Sequence, residues 1–66
     1  MMEIKFFVEF SNMDESLNNP DNCTFTREIN ILCDSEKSGM IQLINEIYDH
    51  KPYNISVDKI TIVEII

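Results

Sequence analysis

The chain of 66 residues has no alanine and no tryptophan, one glycine, one histidine, two prolines and two cysteines. Each scarcity excludes something. A single glycine cannot build a phosphate-cradling loop, a dinucleotide fingerprint or a nucleophile elbow. His50, without close Cys or His neighbours, does not make a zinc pattern. Cations are also scarce: Lys5, Arg27, Lys37, Lys51 and Lys59 are scattered against twelve Asp and Glu, for a net charge of −7 and a pI near 4.3. Nucleic-acid phosphates and anionic lipid are both bound through clustered Lys and Arg, so direct binding to either is not expected.

No apolar run approaches a membrane span. The opening MMEIKFFVEF carries Glu3 and Glu9 where a secretory leader needs positive charge and then an unbroken apolar stretch. The expected location is therefore the cytoplasm, where thiols stay reduced. So short a chain makes one domain, residues 1–66, with one small core. A deep water-excluding cleft is hard to build at this size, and neither an enzyme nor a cofactor site is expected.

What is present is periodic. In EIKFFVEF, residues Ile4, Phe6, Val8 and Phe10 alternate with Glu3, Lys5, Phe7 and Glu9, a strand pattern rich in aromatic and β-branched residues. Residues 11–22 read as a loop, with Ser, Asn and Asp clustered around Pro20. A second strand follows, with Cys23, Phe25, Arg27, Ile29, Ile31 and Cys33 on one face. Ten extended residues at about 3.3 Å each hold the two cysteines some 30 Å apart, whereas a disulfide needs Cα atoms within about 7 Å. Both cysteines are therefore expected as small core hydrophobes. Arg27 interrupts the apolar face, and the expectation is that it lies beyond the reach of the shorter helix that follows.

The period then changes to a helical one. Met40, Leu43, Ile44 and Ile47 form an i, i+3, i+4, i+7 stripe. Asp34 or Ser35 serves as N-cap, Glu36 stands in the first turn, His50 and Lys51 complement the far end, and Pro52 stops the helix. A third strand, NISVDKITIVEII, places Ile60 and Ile62 on one face and Val57, Thr61, Val63 and Ile65 on the other. The fold expected is α+β, a β-β-α-β domain with a three-stranded sheet in the order 2-1-3. One helix covers the face of Phe6, Val8, Ile29 and Ile31. Phe7, Val63 and Ile65 would then form an apolar patch on the uncovered face, a candidate surface for self-association.

For function, the carboxylates are the main resource. Asp14, Glu15 and Asp21 on the loop, and Glu36, Glu46 and Asp49 on the helix, are the candidate partner-binding groups. Tyr48 and Tyr53 join them as interface-type aromatics, although such rings more often cap a core. The loop carboxylates lack the glycine and closing glutamate of a calcium loop, so no metal is expected. Eleven isoleucines and seven asparagines beside no alanine follow AT-rich codons, which points to a low-GC bacterium, its phage or a mobile element. Together these traits lead to the expectation of a small acidic protein-binding module. It would act as an anti-defence inhibitor, mimicking nucleic acid on the basic surface of a host nuclease or defence complex. The alternative is a structural or regulatory homo-oligomer, a homodimer for instance, closed through the exposed sheet face.

Overall fold

A computed structural model describes residues 1–14 and 23–66. It shows β1 (Met2–Asn12), β2 (Thr24–Cys33), α1 (Glu36–His50) and β3 (Ile55–Ile65) in that order along the chain. The sheet order is β2-β1-β3, with β1 antiparallel to both neighbours. The expected β-β-α-β architecture is the one observed. β1 belongs in the centre because it is the most apolar strand: Ile4, Phe6, Val8 and Phe10 are all buried beneath the helix, while their alternating neighbours are half-buried. Glu3 and Ile66 exchange backbone hydrogen bonds of 3.1 and 2.8 Å, which carries the β1–β3 ladder to the last residue.

β1 and β2 pair in unbroken register from Met2 opposite Cys33 to Ser11 opposite Thr24. Phe10 and Phe25 face each other directly and stack, with ring centroids 5.0 Å apart. β3 is less regular. Its register against β1 shifts twice, between Lys5 and Phe6 and between Glu9 and Phe10. Val63 and Asp58 are the extra residues at these two β-bulges, and each insertion reverses the alternation of side chains. Ile55, Val57, Ile60, Ile62 and Ile65 therefore all share the helix side of the sheet, opposite Asn12, Phe10, Val8, Phe6 and Ile4. This corrects the placement of Val57 and Ile65 on the other face. Phe7 does not lie beside Ile65; its direct neighbours across the strands are Glu28 and Thr61. The uncovered face is mainly polar; Phe7 and Val63 stay on it, but Ile65 does not, so the expected patch loses one of its three members.

The helix begins at a capping box. Ser35 Oγ accepts from the Ser38 N–H, and Ser38 Oγ accepts from the Ser35 N–H, both at 3.2 Å. Between the two candidates for N-cap, the structure selects Ser35. The chain leaves the helix at Lys51, whose N–H still bonds to Ile47 O at 2.8 Å, and Pro52 follows.

The buried stripe of α1 is Gly39, Leu43 and Ile47, whereas Ile44 is 39% exposed. Leu43 and Ile47 are buried and Met40 packs half-buried against the core, so of the expected stripe only Ile44 turns outward, the helix being rolled slightly relative to the expectation. Gly39 is the cause. A Cβ at this position would lie 2.8 Å from Cys33 Sγ and 3.0 Å from Ile4 Cδ1, closer than such atoms pack. Without a side chain there, the first turns of α1 lie directly on the buried Cys33 thiol and the side chain of Ile4. The helix backbone accordingly approaches β2 more closely than β3. Cys33 is a free buried thiol, and the run of β2 keeps it from any bridge to Cys23.

Gly39→Ala in a helix ordinarily gains about 1 kcal/mol. Here overpacking should convert that gain into a loss of about 1–2 kcal/mol in urea denaturation. In a Cys33→Ala background, which removes the nearest atom, the same substitution should cost little or become stabilising.

Candidate functional site

The positions of the charged residues follow from strand register. The uncovered sheet face carries Glu3, Lys5, Phe7, Glu9 and Ser11 from β1, and Thr24, Thr26, Glu28, Asn30 and Leu32 from β2. β3 contributes Ser56, Lys59, Thr61, Val63 and Glu64. Asp58 joins them, because its Oδ1 accepts from Ser11 Oγ at 3.0 Å and from Ser56 Oγ at 3.3 Å. Five carboxylates, Glu3, Glu9, Glu28, Asp58 and Glu64, thus share one face with two lysines. Lys5 stands directly across from Glu64, and Lys59 from Glu9. Glu9 and Glu28 are diagonal neighbours, as are Glu3 and Glu64, an arrangement that sets Cα atoms about 7–8 Å apart.

The helix side is closer to neutral. Asp34, Glu36, Glu46 and Asp49 are accompanied there by Arg27, Lys37 and Lys51. Glu46 Oε1 lies 3.6 Å from His50 Nε2 one turn on, an exposed pair of small energetic value. The outer sheet face is thus more negative than the helix side, with the rest of the surplus on Asp14, Glu15 and Asp21, and Glu3, Glu9, Glu28, Asp58 and Glu64 are the candidate residues that reading the sequence missed. They are scattered along the chain, and only cross-strand register gathers them.

The residues expected to bind a partner do not converge. Glu36 opens the helix, while Glu46 and Asp49 are near its end. Asp14, just past β1, accepts from Asn54 Nδ2 at 3.1 Å, next to Tyr53. Glu15 and Asp21 lie outside the described residues. Tyr48 and Tyr53 are 61% and 90% exposed, so neither ring caps the core. Lys51 Nζ sits 5.1 Å from the centre of the Tyr48 ring and donates to Ile55 O at 2.7 Å, which ties the helix end to the start of β3.

An open groove of about 660 Å³ runs between β2 and the last turns of α1, lined among others by Phe10, Phe25, Arg27, Ile29, Glu46 and His50. Arg27 is exposed within it, alongside the helix end. This corrects its expected position beyond the reach of the helix. Among the described residues no group of three or more His, Cys, Asp or Glu could hold a metal ion. No helix among them is long and apolar enough to cross a membrane. No family model matches the chain, and no curated protein or solved structure is significantly similar to it.

The outer-face carboxylates make no contact on which the core depends, since none of them is buried. Replacing Glu9, Glu28 and Glu64 by Gln should leave the urea midpoint unchanged or slightly raised, because mutual repulsion is relieved. Added salt should stabilise the natural chain more than this variant.

Proposed function

We propose that this is a non-catalytic acidic module that binds a basic protein surface through the outer face of its sheet. The observation that carries the reading is the assembly of Glu3, Glu9, Glu28, Asp58 and Glu64 on the face of the sheet opposite α1. Strands hold these carboxylates on a stiff backbone, so little conformational entropy is lost when they meet a cationic partner. Complementary charge of this kind chiefly sets encounter rate and partner choice.

A basic surface of matching extent is characteristic of proteins that bind nucleic acid, where Lys and Arg follow the phosphates. The module would act as an inhibitor by occupying that surface on a nuclease or defence complex. Thr24, Thr26, Asn30 and Thr61 supply neutral hydrogen-bonding groups between the carboxylates on the same face. Asp14 and the exposed Tyr53 lie together at one end of the molecule, where they would extend the contact.

The test is capture from a low-GC bacterial lysate by the natural chain and by the Glu9→Gln, Glu28→Gln, Glu64→Gln variant. Retention of a nucleic-acid-binding protein by the natural chain, its release by salt, and its loss from the variant are expected. Equal affinity and equal salt dependence for the two chains would refute the reading.

A further inference from the structure

The offset of α1 toward β2 leaves the opposite side of the helix open. Glu46, Ile47 and His50 line the groove with Phe25, Arg27 and Ile29, so that flank of the helix faces β2. With 3.6 residues per turn, Met40, Ile44 and Tyr48 emerge on the other flank, toward β3. On that side of the sheet lie Val57, Ile60, Ile62 and Ile65, which the two bulges have brought to the helix side. Met40, Val57 and Ile60 are half-buried against the core. Ile41, Ile44, Tyr48, Ile62 and Ile65 remain 51, 39, 61, 37 and 44% exposed. One apolar strip thus runs along the helix and β3.

We infer that this strip is the interface of a two-fold symmetric dimer of the chain. Size is the first argument. The exposed parts of those five side chains come to roughly 500 Å², near the top of what a monomer leaves bare and most of the apolar centre of a standard interface of about 800 Å² per partner. The second argument is spacing. Ile41, Ile44 and Tyr48 stand three and four residues apart, the spacing of a helix–helix seam, distinct from the buried stripe of Gly39, Leu43 and Ile47. Two such helices packed antiparallel set Ile44 near the axis and Ile41 against Tyr48 of the second copy.

Charge is the third argument. In a chain of net charge −7, none of Lys37, Met40, Ile41, Ile44 and Tyr48 carries a negative charge. The fourth argument selects a second copy over a foreign partner. Among the described residues the buried core consists of seven, Cys33 forms no bridge, and no metal cluster exists. Domains this small commonly complete their core by oligomerising, and a second copy is the partner always present when the chain folds. The interface leaves the acidic sheet face free and does not depend on the function proposed for it.

Sedimentation equilibrium of the unmodified chain from micromolar to millimolar concentration tests this directly. Twice the 7.7 kDa chain mass is expected, with a melting temperature that rises with protein concentration. A strictly monomeric mass at millimolar concentration overturns the inference. Ile44→Lys should weaken the dimer at least tenfold. Should it unfold, Ile41→Lys, at a more exposed position on the same ridge, gives the decision by the same criterion. A dimer unaffected by substitution on this ridge also overturns the inference. The Glu9→Gln, Glu28→Gln, Glu64→Gln variant should remain dimeric, so loss of salt-released capture and loss of the dimer are separate results.

Discussion

The contact of Gly39 with Cys33 and Ile4 governs the layout of this protein. A side chain at residue 39 would lift or roll the helix, because the Cys33 thiol and the end of Ile4 occupy the space a Cβ needs. With the glycine in place, the helix turns Leu43 and Ile47 inward and leans toward β2. Ile44 is left on the flank, and β3 is left with apolar side chains that the helix does not roof. A local absence of one carbon atom thus decides which surface of the molecule is wet and apolar.

The two faces of the sheet consequently do different work. The helix side is apolar at its centre and nearly balanced in charge around it. The outer side is mainly polar, with Phe7 and Leu32 among its residues, and is the more negative of the two. Lys5 and Lys59 oppose Glu64 and Glu9 across the strands, which limits repulsion among the carboxylates without removing their surplus. Charge carried on a sheet is more rigidly spaced than charge on long loop residues, and no carboxylate in this arrangement has to be desolvated for the chain to fold.

Much of this layout is legible in the amino-acid sequence. Period-two alternation locates β1 and β2 with their correct faces, and the 3.6-residue period with Ser35 and Pro52 bounds the helix. The 2-1-3 order follows from the apolarity of β1. Two features are hidden. Alternation in β3 is read correctly only between Asp58 and Val63, because each bulge flips the parity, and nothing in the residues of that strand marks a bulge: neither glycine nor proline occurs in it. The acidic face is hidden for a related reason. Glu3, Glu9, Glu28, Asp58 and Glu64 come from three strands, and proximity along the chain does not reveal neighbours across a ladder. The loop and helix carboxylates stand close in sequence and look like a cluster for that reason alone.

The bulges in β3 have one more consequence. The segment TIVEII is apolar, β-branched and placed on a sheet edge, the profile of a strand that recruits further copies of itself into fibrils. Cross-β stacking demands flat strands with strict alternation, so that identical side chains stack in register. A strand that carries an extra residue at Asp58 and another at Val63 cannot present such an edge without first losing its native pairing with β1. The same two insertions that turn five apolar side chains to one side also keep a hydrophobic edge from serving as an amyloid template.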